Sequence, residues 1–169
     1  MDTYLAVASK RDWRSYADRP VSDDVRLRIL DAGRLAGSAA NRQPWTFVVV
    51  ESPDAKERVA ETVYAADNIR TCAFAVGIAT EGGKAALDVG RALQNMFLVA
   101  WNAGVASCPN GTPDAEATAR ALGLDDGLLP INIPSFGYPK RPRDPEERSA
   151  EEWSAEANRK ALQEIVRRL

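Results

Sequence analysis

Residues 38–51 read SAANRQPWTFVVVE, a polar loop followed directly by a β-branched run. The run over residues 46–51 is almost continuously apolar, which predicts a strand buried on both faces. A loop beside a buried strand is held by a rigid scaffold, and Ser38, Asn41 and Gln43 offer hydrogen-bond donors and acceptors. The stretch therefore predicts either a ligand-facing loop or a polar turn whose side chains satisfy only the local backbone.

Helices and short strands alternate on both sides of this stretch. Before it, Ser22 and two aspartates predict a helix that ends near Gly37. After it, the pattern predicts a helix over 54–66, a strand over 73–79, a long central helix over 84–103, a strand over 105–109, a helix capped by Thr112 that stops at Gly123, and a strand over 128–136. Periodicity alone leaves open a sandwich around one sheet or a doubly wound nucleotide fold.

The C-terminal part differs in composition. Residues 138–148 are rich in proline and charge, and Ser149 with Glu152 forms a capping box that predicts a last helix running to Leu169. With 169 residues the chain fits a single domain, because domains most often have about 100 to 150 residues. We expect one domain over 1–169 whose tail, residues 138–169, packs on a partner subunit.

Composition and charge narrow the classes of function. The formal net charge is −2, and the calculated pI is about 5.3. A chain with this balance lacks the broad positive field that nucleic-acid binding requires, so we expect a small-molecule partner. The start, Met1 to Tyr4, has no basic region followed by an apolar one, and no apolar stretch reaches the length of a membrane span. We therefore expect a cytoplasmic protein without a membrane partner.

The chain has two cysteines and no histidine. Cys72 and Cys108 each lie in an apolar stretch, so we interpret both as buried thiols and expect no metal site. Without histidine, the usual metal ligand, general base and nucleophilic triads are excluded. If the protein is an enzyme, a cofactor is expected to carry the difficult chemical step.

A basic segment near the N-terminus is the second candidate binding element. Lys10, Arg11 and Arg14 place three cations within five residues. Such a cluster can bind a phosphate through charge-assisted hydrogen bonds, and arginine supplies a bidentate fork. A solvated charged turn is the alternative interpretation, since charged clusters usually face water.

The order and spacing of these motifs resemble the FMN-dependent nitroreductase family. The matching residues extend over nearly the whole chain and comprise Lys10-Arg11-x-x-Arg14, Ala32-Gly33-Arg34-x-Ala36-Gly37-Ser38-x-x-Asn41-x-Gln43-Pro44-Trp45-x-Phe47, Gln94-Asn95-Met96 and Gly137-Tyr138-Pro139. The resemblance implies an α+β fold, a three-layer α/β/α sandwich around a central mixed sheet with an extended C-terminal arm. It also implies a homodimer that binds FMN.

The resemblance assigns roles to individual residues. Lys10, Arg11 and Arg14 would bind the FMN phosphate together with a cation of the tail, for which Arg148 is the first candidate and Arg141 or Arg143 the substitutes. Ser38, Asn41 and Gln43 would contact the ribityl chain and the pyrimidine edge, partly across the dimer. In the segment Pro109-Asn110-Gly111, a backbone N–H near Asn110 or Gly111 would hydrogen-bond flavin N5.

The implied reaction has two half-reactions, with NAD(P)H as hydride donor and a small acceptor such as a nitroaromatic or a quinone. No side chain is expected to be catalytic, since flavin N5 carries the chemistry, and Arg42 is a candidate for positive charge near N1 and O2. Trp13, Trp45, Phe97 and Trp101 are expected mainly in the core, with Trp45 the first exception.

Two residues depart from the family pattern, and several alternative functions remain open. Asp12 stands where the family often has Ser, and Gly37 where it often has Pro. The same fold could instead fragment flavin, dehalogenate a substrate reductively or use a deazaflavin. A flavin-binding dimer without turnover is a further alternative, whereas a Rossmann dehydrogenase is disfavoured because no G-x-G-x-x-G follows a strand.

Overall fold

The computed structural model describes residues 1–169, which form two compact units. Residues 11–143 make up the larger unit, and residues 1–10 together with 144–169 make up the smaller one. The smaller unit holds α1 (Thr3–Ser9), α7 (Ala150–Ala155) and α8 (Leu162–Ile165). The larger unit holds a five-stranded sheet and the remaining helices, which are α2 (Asp23–Arg34), α3 (Pro53–Ala60), α4 (Ala66–Arg70), α5 (Ala86–Asn102) and α6 (Ala115–Leu122).

The sheet is built around one buried strand. Its strands are β1 (Thr46–Val50), β2 (Phe74–Glu81), β3 (Ala106–Cys108), β4 (Leu128–Asn132) and β5 (Ser135–Gly137). β1 pairs with one side of β2, while β5 and β4 pair with successive parts of its other side, and β3 pairs with β5. All these pairs are antiparallel. The expected mixed sheet is thus almost entirely antiparallel, and parallel pairing is limited to an isolated Asp12–Ser107 bridge.

Helices cover both faces of the sheet, as side-chain alternation along β2 requires. Phe74, Val76 and Ile78 pack with α2 and α5 on one face. Ala75 on the opposite face belongs to the cluster that includes α3, α4 and residues of α6. The phenyl rings of Phe74 and Phe136 stack at 4.9 Å between centroids. The predicted three-layer sandwich is confirmed in the larger unit.

Several predicted boundaries change. The helix expected over 54–66 is two helices, α3 and α4. The strand expected over 128–136 is broken into β4 and β5, since Pro134 has no N–H and the register of β2 shifts between Ile78 and Ala79. α2 ends at Arg34, before Gly37, and Ser22 occupies its N-cap position without a side-chain bond.

The predicted cap of α6 is also wrong in detail. Asp114, not Thr112, accepts the capping bond, from the Ala117 N–H at 3.0 Å. The Thr112 hydroxyl instead contacts the Thr118 hydroxyl and the Thr62 carbonyl, at 2.5 and 2.7 Å. At the other end, α6 stops at Gly123 as predicted, with φ +65°. The end of α5 is likewise confirmed, because Gly104 follows its C-cap with φ +72°.

The last helix begins as predicted but ends early. Ser149 and Glu152 form the expected capping box at the start of α7. The backbone hydrogen bond from Ser149 lowers the pKa of Glu152, with the Ser149 side chain adding to the effect. The helix stops at Ala155 rather than Leu169, and Asn158 beyond it adopts a left-handed φ of +49°, which cannot continue a right-handed helix. Trp153 anchors α7, donating from its indole N–H to the Pro145 carbonyl at 2.8 Å.

None of the helices is at once long enough and apolar enough to cross a bilayer. Both cysteines are buried, as predicted, and neither forms a disulfide. Burial raises the pKa of Cys72 to about 11.

Phe97 and Trp101 are buried as expected, whereas Trp13 and Trp45 are half-buried.

Candidate functional site

The basic segment runs alongside β3. Asp12 forms its bridge with Ser107, and the Trp13 N–H donates to the Ser107 carbonyl at 3.0 Å. Cys108, the next residue of the strand, accepts a hydrogen bond from the exposed guanidinium of Arg14, which raises the pKa of Arg14. Lys10 is the C-cap of α1 and Arg11 follows it, both half-buried. The segment is therefore attached to β3 by its backbone, with the Arg14 side chain beside Cys108.

A carboxylate at Asp12 would repel a phosphate bound by this segment unless it turned away to orient Arg11 or Arg14. This carboxylate is close enough to Arg14 to contribute to raising the pKa of that guanidinium, after the larger contribution of Cys108. An acidic neighbour of this kind stabilises the charged form of arginine. This agrees with the interpretation that Asp12 supports a cation of the segment.

The polar loop of residues 38–43 is folded back on itself. The Ser38 hydroxyl accepts from the Gln43 N–H at 2.8 Å, and the Ser38 carbonyl accepts from the Asn41 N–H at 3.0 Å. Three non-glycine residues in it have left-handed φ angles, of 51° at Ala40, 55° at Asn41 and 48° at Gln43. Such a concentration of unfavourable backbone is typical of functional loops. The side chains of Asn41 and Gln43 are exposed.

Two cavities flank this loop. One, of about 660 Å³, lies between α2 and β1 and is lined by Gln43, Trp45 and Phe47 among others. The other, of about 460 Å³, lies between α2 and α5 and is lined by Gly37, Arg91 and Asn95 among others. The loop therefore has room for a ligand on either side of it.

Gly37 explains one departure from the family pattern. A Cβ atom at this position would lie 2.4 Å from Arg91 Nη2. The guanidinium of Arg91 thus occupies the space in which the family often has a proline ring. Arg91 is a cation beside the loop that sequence reasoning did not single out, whereas Arg42, which it did, lies exposed on the loop itself.

The segment Pro109-Asn110-Gly111 is held by hydrogen bonds from several elements. The Asn110 N–H donates to Asn132 Oδ1 at 3.2 Å, and the Asn110 carbonyl accepts from the Ile133 N–H at 2.9 Å. The Gly111 carbonyl accepts from the Tyr64 N–H at 3.1 Å. The resemblance names two backbone N–H groups that could bond flavin N5. The Asn110 N–H already has an acceptor, whereas the Gly111 N–H has none within the chain.

Tyr64 is a residue of this region that no pattern in the sequence singles out. Its side chain is 76% exposed although it is a large aromatic group. Its ring lies beside Gly111, since a Cβ at Gly111 would be 3.5 Å from the ring. An exposed aromatic ring next to an available N–H provides an apolar surface for a planar ligand.

The cations of the tail have different surroundings. Arg148 pairs with the carboxylates of Glu147 and Glu156 and lies 5.0 Å from the centroid of the Trp153 ring. Arg143 lies over the ring of Trp13, with its guanidinium carbon 5.4 Å from the centroid. Arg141 is exposed. The structure thus brings Arg143 to the basic segment and surrounds Arg148 with carboxylates, so the role predicted for Arg148 stays a prediction.

The predicted site residues fall into two groups. The Arg14 guanidinium and the Asp12 and Trp13 backbones contact β3, which leads directly into Pro109, Asn110 and Gly111. The loop of Ser38, Asn41 and Gln43 instead contacts α5, where the Ala39 N–H donates to Asp88 at 3.4 Å. No hydrogen bond or ion pair joins the two groups. No cluster of cysteine and carboxylate side chains is arranged to hold a metal ion.

The donor set fits an anionic, planar cofactor such as FMN. Arg14 supplies a charged guanidinium at one end of the first group, and Gly111 supplies an unpaired N–H at the other. Phosphate oxygens and ring nitrogens accept hydrogen bonds from these two kinds of donor. The residues of the first group therefore match the polar ends of such a molecule.

Comparisons with known proteins give a consistent result. A family model described as the Nitroreductase family matches residues 7–70 and 79–138. A provisionally named NADH dehydrogenase/NAD(P)H nitroreductase of Archaeoglobus fulgidus is 28% identical over 149 residues, which cover 82% of this chain and 86% of that protein.

Solved structures agree over nearly the full chain. A provisionally named NADH dehydrogenase/NAD(P)H nitroreductase of Parabacteroides distasonis superposes with a TM-score of 0.82 at 25% identity, covering 99% of this chain and 98% of that one. A provisionally named nitroreductase of Desulfovibrio desulfuricans, solved in complex with FMN, superposes with a TM-score of 0.82 at 24% identity, covering 98% and 96%. These likenesses confirm the predicted α+β fold.

Proposed function

The chain belongs to the nitroreductase family, a family of oxidoreductases, and from this premise we propose that it binds FMN and passes electrons from NAD(P)H to a small acceptor such as a nitroaromatic or a quinone. The observation that carries the proposal is that Arg14 of the basic segment and the Gly111 N–H, which has no acceptor within the chain, both lie near the C-terminal end of β3. The solved relative in complex with FMN supports the choice of cofactor.

The residues of the chain would bind and orient the cofactor. Lys10, Arg11 and Arg14 would hold the phosphate, and Arg143, which lies over Trp13, is the tail cation that the geometry favours over Arg148. The Gly111 N–H would donate to ring atom N5, and the Tyr64 ring would border the space above it. FMN, when bound, supplies the hydride chemistry, so no acid or base side chain is required.

The second group of residues supports a homodimer. Ser38, Asn41 and Gln43 share no hydrogen bond or ion pair with the basic segment in one chain, so a partner subunit would bring the two groups together on one cofactor. Large apolar side chains are also exposed on α5, on α2 and at the C-cap of α2, with Leu87 80%, Leu27 61% and Leu35 64% exposed. Contiguous apolar patches mark interaction surfaces, and these leucines are candidates for part of one. In this assembly the tail, residues 138–169, would pack on the partner.

The first experiment is spectroscopic. The purified protein is examined for flavin absorbance, supplied with FMN if colourless, and then mixed anaerobically with NADH or NADPH. A yellow protein that bleaches supports the proposal, and reoxidation by a nitroaromatic or a quinone identifies the acceptor class. A protein that takes up no FMN refutes it, and a yellow protein that neither nicotinamide bleaches favours flavin binding without this turnover.

A paired substitution tests the phosphate site. Arg14→Ala is expected to raise the Kd for FMN by roughly tenfold to a hundredfold, because a hydrogen bond to a charged group contributes about 1.5–3 kcal/mol. Arg58→Ala is the control, since Arg58 is an exposed arginine of α3 outside the site. Kd values follow from the quenching of FMN fluorescence. Equal affinities for the two variants would show that the basic segment is a solvated turn.

A further inference from the structure

Asn110 has a side chain that is buried and hydrogen-bonded on all sides. It is only 3% exposed. Its Oδ1 accepts from Asn68 Nδ2 at 2.7 Å, and its Nδ2 lies within hydrogen-bond distance of the Ile133 carbonyl at 2.8 Å, the Cys108 carbonyl at 3.1 Å and Ser135 Oγ at 3.1 Å. Burying an amide is costly unless its hydrogen bonds are satisfied, and here they are.

The network continues away from Asn110 to Tyr16. The Tyr16 hydroxyl lies 2.8 Å from Ser135 Oγ, and both residues are buried. Burial raises the pKa of Tyr16 far above its ordinary value, so the hydroxyl stays protonated and remains able to donate. The arrangement extends from residue 16 to residue 135, across four separate parts of the chain. It therefore holds Asn110 at a fixed position in the larger unit.

The backbone on both sides of Asn110 is fixed in direction as well. Asn132 Oδ1 accepts from the Asn110 N–H, and the Ile133 N–H donates to the Asn110 carbonyl. The peptide between Asn110 and Gly111 is trans, so its C=O and N–H point in opposite directions. Because the carbonyl points toward Ile133, the Gly111 N–H must point away from β4 and β5. It is the one backbone polar group of these two residues that has no partner.

We propose that the buried Asn110 network, formed by the side chains of Asn68, Asn110, Asn132, Ser135 and Tyr16, positions the Gly111 N–H to donate to flavin N5 and so sets the reduction potential of the bound flavin. The proposal rests on the proposed FMN function. These side chains are positioning residues, because they act on the cofactor only through the Gly111 peptide.

The direction of the effect follows from the chemistry of N5. In oxidised flavin N5 is a hydrogen-bond acceptor, whereas in two-electron-reduced flavin it carries a hydrogen. A donor aimed at N5 therefore stabilises the oxidised form more than the reduced form. Loosening the donor is expected to shift the equilibrium toward reduced flavin by about threefold to tenfold, the size of one hydrogen bond. A tenfold shift in a two-electron couple corresponds to about 30 mV, toward a more positive potential.

Two substitutions loosen the network at different points. Asn68→Ala removes the donor to Asn110 Oδ1, and Asn132→Ala releases the Asn110 N–H. The control is Thr80→Val, which removes a buried hydroxyl at the far end of β2, where it donates to the Lys84 carbonyl at 2.6 Å. All three variants lose buried hydrogen bonds and thus stability, but only the first two are expected to change the flavin.

The experiment measures two quantities on the FMN-loaded protein. The midpoint potential is obtained by anaerobic titration against reference dyes, and the Gly111 amide resonance is followed by NMR as FMN is added. We expect the amide resonance to shift on FMN binding, and the potential of both network variants to become more positive than that of wild type and Thr80→Val. Equal potentials in all four proteins would overturn the proposal.

The outcomes distinguish a failure of FMN binding from a failure of the positioning role of the Asn110 network. If the wild-type protein takes up no FMN, the proposed function fails and this proposal fails with it. If FMN binds while the Gly111 amide resonance stays in place, the function stands and the positioning role is refuted. If one network variant does not fold, the other still gives the comparison with Thr80→Val.

Discussion

Gly33 offers a substitution whose sign can be worked out from contacts. It lies in α2, where it is buried against α5 and β1. A Cβ at this position would lie 2.2 Å from Met96 Cε, 3.1 Å from Met96 Cγ and 3.1 Å from Phe47 Cζ. The methionine methyl group can move, but Met96 is fully buried, and the contacts to its stem and to the phenyl ring require further shifts. Gly33→Ala is therefore expected to overpack the α2–α5 contact.

The magnitude combines two opposing effects. Overpacking of a core costs about 1–3 kcal/mol, and the need to move two side chains places Gly33→Ala in the upper half of that range. Replacing glycine by alanine inside a helix recovers about 1 kcal/mol. The expected net loss in the free energy of unfolding is thus about 1–2 kcal/mol. Gly90 of α5 is the matched control, because a Cβ there meets nothing within 4 Å, so Gly90→Ala should keep the helix gain.

Denaturant unfolding monitored by tryptophan fluorescence measures both variants against wild type. The double variant Gly33→Ala/Met96→Ala adds a further check, since residues in contact show coupling energies of about 0.5–3 kcal/mol. We expect the double variant to be less destabilised than the sum of the single ones. A Gly33→Ala protein as stable as Gly90→Ala would refute the close packing of α2 on Met96.

Two further predictions concern charged residues. Arg143→Ala is expected to raise the Kd for FMN by roughly tenfold or more. Arg148→Ala should leave the Kd nearly unchanged, because that guanidinium is already paired with two carboxylates. Fluorescence titration measures both Kd values, and a larger effect of Arg148→Ala would identify Arg148 as the phosphate-binding cation of the tail. The Arg70 guanidinium, bound to Glu57 at 2.7 and 2.9 Å, lowers the pKa of Glu57 below its ordinary value of 4.5. The pair therefore adds stability above pH 4.5 that is lost as the pH falls through the lowered pKa. Wild type should accordingly exceed Glu57→Gln by a small margin near neutral pH, and acid unfolding curves should converge below it; a constant difference at all pH values would contradict this.

The local elements could be predicted because their signals are local. The β-branched run of β1, the apolar stripe of α5 and the glycines after α5 and α6 each act within a few residues. The break at Pro134 and the end of α7 at Ala155 were missed for another reason. The break accompanies a shift of register against β2, which exists only once the strands pair, and a capping box marks where a helix starts without stating how far it extends.

The candidate site was only partly predictable. The basic segment and the polar loop stand out in the sequence, since each gathers its residues within a short stretch. The partners of Asn110 are scattered from residue 16 to residue 135, and no pattern in the sequence joins them. The choice between Arg143 and Arg148 likewise depends on which neighbours the tail meets: an aromatic ring for one, and carboxylates for the other.

The left-handed residues of the polar loop have a consequence for any attempt to improve this protein. Ala40 holds a φ of 51° that glycine would adopt without penalty. A screen that rewards heat resistance alone would therefore tend to select glycine at this position. The same change would let the loop relax away from the shape that presents Asn41 and Gln43 to a ligand. Variants selected for thermal stability should then be checked for flavin content, since the same substitution would raise stability and lower flavin occupancy.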